Sequence, residues 1–265
     1  MPLVNDIHSA LNETRVRRIV EAGSTDAVIR AVREARREGI AVSVMGGRHA
    51  MGAQQFGTDT LLLDTRHLSR ILSFDPERGL LECEPGILWP ALIDGYLSRQ
   101  NGDLRAGGRT WGIAQKQTGA DRLSVGGTLA ANGHGRGLTL PPFVDDVESF
   151  TLIDAEGEVR RCSRTEEAEL FSLEAGGYGL FGIVTAVTLR LDPRRKLERG
   201  VEVRRKQGLA EAFDERIRDG FLYGDFQFSI DRSSDSFLDE GVFSCYRPVD
   251  PETPISLEQR ELGAA

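Results

Sequence analysis

The chain has 265 residues, 40% of them hydrophobic and 28% charged, with a net charge of -8 from 33 basic and 41 acidic residues. That is the balance of an ordinary folded protein of one large or two small domains, and scattered basic residues in an acidic chain argue against nucleic acid as a partner. No apolar run nears the roughly 20 residues of a membrane span, and the N-terminus lacks a signal peptide's basic start and apolar core, so a cytoplasmic protein without membrane contact is expected.

In chain order, Ser24 is a candidate N-cap for "TDAVIRAVREARRE", in which Ala27, Val28, Ala31, Val32 and Ala35 share one helical face and Gly39 stands where a C-cap belongs. "IAVSVM" (40–45) and "TLLLDT" (60–65) read as buried strands. "RILSFDPERGLLECEPG" reads as a hairpin turning at "DPERG". "ILWPALIDGYLSRQ" is a helix that tolerates Pro90 only in its first turn. From 101 to 143 glycine and polar residues dominate, helical pattern is weak outside "GGTLAAN", and a stretch of this kind inside a compact domain is usually functional. "VESFTLIDAEGEVRRCS" is a hairpin turning at "AEG", "TEEAELFSLEA" a short helix with a capping-box start at Thr165, and "IVTAVTLRL" a strand. "DPRRKLERG" (192–200) marks a domain boundary; beyond it come the strand "VEVRR", the helix "LAEAFDERIRD" and the strands "FQFSI" and "VFSCYRP". Cys83, Cys162 and Cys245 show no metal or redox spacing and read as buried thiols, and no metal site is expected.

The candidate chemistry begins at "MGGRHAMG" (45–52), where Gly46, Gly47 and Gly52 surround Arg48 and His49. A dinucleotide fingerprint needs Gly-x-Gly-x-x-Gly opening a helix after a strand; the strand is there, but the spacing and the helix are not. No Gly-Lys-Ser/Thr of a phosphate loop is present either. A glycine turn whose backbone N–H groups converge can still hold a diphosphate. Trp89 and Trp111 read as packing residues, His8 and His67 as surface or cap residues, and Asp145 and Asp146 as a pair pointing apart on a strand.

Helix, strand, "GGRHAMG" and strand together resemble the pyrophosphate loop of the vanillyl-alcohol-oxidase (PCMH-type) family of FAD enzymes. "SVGGTLAANGHGRGLTLPPFVDDVESFTLIDAEGEV" (124–159) resembles that family's second flavin-binding stretch, especially among aldonolactone and alditol oxidoreductases. "ELFSLEAGGYGLFGIVTAVTLRL" (169–191) resembles the segment that closes the FAD domain. The resemblance implies an α+β, two-subdomain FAD-binding domain over 1–191 and the incomplete beginning of an α+β substrate cap over 192–265.

It also implies roles for individual residues. Gly46, Gly47, Arg48, His49 and Ala50 wrap the diphosphate; Thr118, Gly119, Ser124, Gly126, Gly127 and Thr128 line the flavin; Asn132, Gly133 and His134 lie beside the isoalloxazine or diphosphate; Gly182 and Ile183 meet the adenine or ribose. His49 is either bonded to the flavin 8α-methyl or a hydrogen-bond donor at the phosphates, and Gly133 is the gate for oxygen. The implied reaction is oxidation of the CH–OH group of a small alcohol (a polyol, sugar or aldonolactone) by hydride transfer to FAD, with O2 or another acceptor closing the cycle. No catalytic base is assigned. The alternatives are a catalytically incomplete FAD-binding fragment or subunit, and an NADPH-dependent reductase on the same fold.

Overall fold

The computed structural model describes residues 1–100, 110–116 and 121–254. They pack as two units: Met1–Gly135 with Pro141–Arg194, and Arg136–Leu140 with the chain from Arg195 onward. The division after Arg194 lies three residues beyond the boundary expected at 191/192, and residues 136–140 belong to unit 2, which the sequence did not suggest.

Unit 1 opens with the short antiparallel pair β1 (Leu3–Val4) and β2 (Thr14–Arg15). Next come β3 (Arg18–Glu21), α1 (Thr25–Glu38), β4 (Val42–Met45) and β5 (Leu61–Asp64), forming a parallel sheet in the order β3-β5-β4. α1, the crossover between two parallel strands, covers the Leu61 and Leu63 face of central β5, and Val4, Val16 and Met45 pack against Leu62 on the other, so all four of its residues are buried. The helix boundaries follow from local chemistry. The Ser24 side chain accepts the Ala27 N–H at the N-terminus, and Gly39 at φ 65° adopts the left-handed C-cap. The face Val28, Ala31, Val32 and Ala35 packs with Leu61 and Leu63.

The second half of unit 1 contains β6 (Ile71–Asp75), β7 (Leu80–Cys83), α2 (Trp89–Arg99), β8 (Trp111–Gly112), α3 (Val125–Ala130), β9 (Val147–Ile153), β10 (Val159–Ser163), α4 (Ala168–Glu174), β11 (Ile183–Arg190) and β12 (Asp192–Pro193). Five of the strands form an antiparallel sheet ordered β10-β9-β11-β7-β6, and β12 pairs with β8. Its core gathers Trp89, Leu92, Leu129, Phe143, Phe150, Phe171 and Val187. Both tryptophans act as packing residues with a satisfied N–H: Trp89 donates to Thr128 Oγ1 at 3.0 Å, and Trp111 to the Pro76 carbonyl at 2.7 Å. The thiols of Cys83, Cys162 and Cys245 are free and buried.

Two local expectations are corrected. The Thr165 capping box does not form: Ser163 Oγ takes the N–H groups of Thr165 and Glu166, and α4 starts at Ala168 after Glu167 in a left-handed conformation, φ 47°. Asp145 and Asp146 sit on a 3-10 turn, Phe143–Asp146, rather than a strand. There burial, reinforced by the neighbouring Asp145 charge, pushes the Asp146 carboxyl up to about 6.

Unit 2 is a three-stranded antiparallel sheet, β13 (Leu197–Arg205), β14 (Tyr223–Phe228) and β15 (Glu240–Pro248), ordered β13-β15-β14, with α5 (Leu209–Arg218). What the sequence marked as a charged boundary, 192–200, is largely strand, because Leu197–Gly200 pair with Cys245–Pro248. Among the described residues, no helix is long and apolar enough to cross a membrane.

Candidate functional site

Unit 1 holds a cleft of about 380 Å³ at the carboxyl ends of its parallel strands, where open α/β sheets bind ligands. The turn after β4 supplies Gly46, Gly47, Arg48, His49 and Ala50; Thr65 follows β5; α3 and its N-cap supply Ser124, Gly126, Gly127, Thr128 and Ala130. Gly133, His134, Glu174, Tyr178, Gly179 and the start of β11 at Gly182, Ile183 and Val184 complete the wall.

The turn and α3 are pressed together. A methyl group at Gly46 would run into Ser124 Oγ, and one at Gly126 would lie 2.7 Å from Pro85 Cβ. These glycines therefore serve protein–protein approach as well as any ligand. Ser124 is the joint: its hydroxyl caps Gly127 N–H at 3.3 Å and faces Gly47 N–H at 3.5 Å. The first N–H groups of α3 are all engaged, Val125 with the Ile87 carbonyl, Gly126 with that of Pro85 and Gly127 with Ser124. So α3 offers a flat, small-residue surface and not a set of donors. Donors come from the turn: among the described residues, no protein acceptor takes the N–H groups of Arg48, His49 or Ala50. Arg48 holds a left-handed φ of 58°, the kind of conformation that turns successive N–H groups toward one anion.

His49 is hydrogen-bonded through Nδ1 to Nε2 of His8 at 2.7 Å. Burial, followed by the nearby His8, pulls its pKa below the usual value, while a hydrogen bond to the Arg122 carbonyl works the other way. His8, expected as a surface or cap residue, is exposed but belongs to this site; the partnership spans 41 residues and leaves no local trace in the sequence. His67, in contrast, is a surface residue 3.5 Å from Glu21.

Among the other expected site residues, Gly133 and His134 line the cleft and Asn132 does not: its Oδ1 accepts the Val144 N–H at 3.1 Å, fixing the turn that follows. Thr118 and Gly119 lie outside the described residues. Sequence reasoning passed over Gln55 and Glu174. Both line the cleft, and the Gln55 amide and Glu174 Oε2 are buried with no hydrogen-bond partner among the described residues. Burial alone pushes Glu174 up to about 7. Orphaned polar atoms beside unpaired N–H groups mark a site built for a polar ligand. An elongated molecule with an anionic centre and flat heterocycles fits these donors, this small-residue floor and these two unpaired side chains.

A family model described as "FAD binding domain" matches residues 16–163, more than half of the chain. Similar curated proteins include an uncharacterized oxidoreductase of the fasciation locus of Rhodococcoides fascians, 28% identical over 61% of this chain and 34% of its own length. L-Gulonolactone oxidase of Mus musculus is 27% identical over 60% of this chain and 34% of its own. Cytokinin dehydrogenase 3 of Oryza sativa subsp. japonica is 27% identical over 57% and 28%. The chain spans about a third of the length of the curated relatives it matches.

Proposed function

The chain belongs to the family of PCMH-type FAD-binding domains, and from that premise we propose that the protein is an FAD-dependent oxidoreductase acting on the CH–OH group of a polyol, sugar or aldonolactone. The observation that carries this reading is that the family match covers the donor-rich part of the cleft: the whole 46–50 turn, three of whose N–H groups have no partner among the described residues, α3 and Gln55. The Arg48, His49 and Ala50 N–H groups, with the Arg48 guanidinium, hold the diphosphate. The floor at Gly126, Gly127 and Ala130 lets a planar ring lie against backbone, and Gln55 and Glu174 supply hydrogen bonds to polar ring edges. FAD held there would supply two-electron redox chemistry for oxidation of the alcohol, with O2 or another acceptor as the oxidant. In this reading unit 2 belongs to the substrate-binding part of the protein.

The gulonolactone oxidase among the relatives supports a lactone or sugar-like alcohol; the cytokinin dehydrogenases name a different substrate. The test is anaerobic mixing of the FAD-loaded protein with a panel of polyols, sugars and aldonolactones, with a cytokinin and NADPH beside them. Bleaching of the flavin band by a member of the alcohol panel is expected. Bleaching by the cytokinin alone changes the substrate class, bleaching by NADPH alone makes the protein a reductase, and bound FAD that nothing reduces makes it a non-catalytic binding unit. For His49 we propose attachment to the flavin, which leaves the protein yellow after acid precipitation and colourless after His49→Ala; wild-type precipitate without colour contradicts the attachment.

A further inference from the structure

The His8–His49 contact is built from both sides. Asp6, buried, gathers the N–H groups of His8 at 2.8 Å, Ser9 at 2.6 Å and Ala10 at 3.2 Å, and the Ser9 hydroxyl at 2.8 Å. The Ile7 N–H donates to the Arg48 carbonyl at 3.1 Å, tying this N-terminal turn to the 46–50 turn. The result is a folded loop that holds an imidazole against His49, with ring centroids 4.8 Å apart.

A bond between His8 Nε2 and His49 Nδ1 has one hydrogen and one lone pair. Whichever ring donates, its outer nitrogen keeps a lone pair, and the accepting ring carries its own proton on its outer nitrogen. The pair can then take one proton, on the donor ring's outer nitrogen, with the central hydrogen bond retained. A second proton would break the central bond. The pair is therefore neutral or a monocation in one geometry, beside the unpaired N–H groups of Arg48, His49 and Ala50.

We propose that His8 and His49 act as one proton-sharing pair that takes up a single proton when the diphosphate of FAD settles on the 46–50 turn, making cofactor affinity pH-dependent. The inference rests on the FAD reading above. The other charged or titratable groups on the surrounding elements are Asp6 on the N-terminal turn, Arg48 beside His49, Arg122 before α3, and His134, Glu174 and Tyr178 on the cleft wall. For Asp6, burial works against ionisation, but the hydrogen bonds from Ser9, His8 and Ala10 hold its carboxyl below the usual range, so it stays charged throughout the titration of a histidine. Glu174 titrates nearby in pH, and a substitution at His8 separates the two contributions.

The experiment uses the full chain prepared flavin-free, with initial binding of FAD, ADP and riboflavin followed by fluorescence or calorimetry between pH 5.5 and 8.5 (roughly one unit or more either side of an ordinary histidine pKa). Affinity for FAD and ADP is expected to rise from high to low pH with a slope approaching tenfold per pH unit where one proton is taken up on binding. Riboflavin, which lacks the diphosphate, shows no such slope. His8→Gln keeps a hydrogen-bond partner for His49 Nδ1 but leaves no pair to share a proton: its affinity for FAD and ADP stays at the wild-type high-pH value across the range. A wild-type profile that is flat, a slope shared by riboflavin, or a slope preserved in His8→Gln overturns the proposal. ADP binding with the expected slope but no FAD binding keeps the pair and removes the cofactor reading; no binding of either at any pH removes both.

Discussion

The two units differ in what fills them. Among the described residues unit 1 buries three apolar clusters, one running from Leu81 to Leu191 around Trp89, Phe143 and Phe150, another under α1, and a small one at Met45 and Leu62. In unit 2 the buried cluster is Ala212, Phe221, Phe243 and Cys245, and much of its remaining cover is guanidinium: Arg216 lies 4.8 Å from the Phe221 ring centroid, Arg247 5.5 Å from the same ring, and Arg204 5.5 Å from that of Phe243. Val201, Val203 and Ile230 stay exposed. A large core can hold unpaired polar groups around a cleft, because local losses are small against its total burial. A four-residue core has no such reserve. The ligand-binding capacity of this chain therefore belongs to unit 1, and unit 2 is the weaker structure.

The largest expected effect separates the units directly. Trp89→Ala removes a fully buried indole and the hydrogen bond it donates to Thr128 Oγ1, at a cost of about 3–5 kcal/mol, and should abolish FAD binding together with the fold of unit 1. Phe243→Ala removes a comparable ring from unit 2 and should unfold that unit at lower urea while leaving FAD affinity within about twofold, the scatter expected of an independent site. Equal losses of FAD affinity in the two variants would break the comparison.

Next comes the buried acid of the cleft. The folded-state pKa of Glu174 is raised to about 7, so its contribution to stability is complete below the unfolded value near 4.5 and is lost as pH rises through about 7. Glu174→Gln in the flavin-free protein should therefore stabilise unit 1 at pH 8, by up to about 3 kcal/mol from the size of that shift, and do nothing at pH 4. Urea midpoints at the two pH values decide it; an equal gain at both would place the cause outside ionisation. The smallest effect sharpens the account of the turn. Gly46→Ala displaces Ser124 from the cap of α3, costing about 1–2 kcal/mol in stability, and should weaken FAD more than tenfold by spoiling the seam between turn and helix. Unchanged FAD affinity in a stable variant would mean that the seam does not shape the site.

How far the sequence could be read depended on the reach of each interaction. Helix α1 was legible to the residue, because Ser24, the apolar spacing and Gly39 all act within a few positions. The hairpin at Gly79 and the glycine turn at 46–47 were legible for the same reason, and so was the list of turn residues that now line the cleft. Partnerships across long separations were not. His8 meets His49 through an N-terminal turn held by Asp6 and Ser9, across 41 residues of sequence. Leu138 joins the core of unit 2 from a stretch that sequence order assigns to unit 1. Glu174 looked like one more polar residue on a short helix, and only the packing of α4 against the antiparallel sheet reveals it as buried. The Thr165 start failed because a competing acceptor, Ser163, lay two residues earlier.

The central claim is that FAD occupies the cleft of unit 1. Hydrogen exchange of the full chain with and without FAD tests it most directly. The account predicts slowed exchange at residues 44–50, 123–134 and 174–184, the turn, α3 with the segment after it, and the entry to β11, with residues 197–248 unchanged. Slowed exchange confined to 197–248, or no change at the 46–50 turn while FAD is bound, would contradict it.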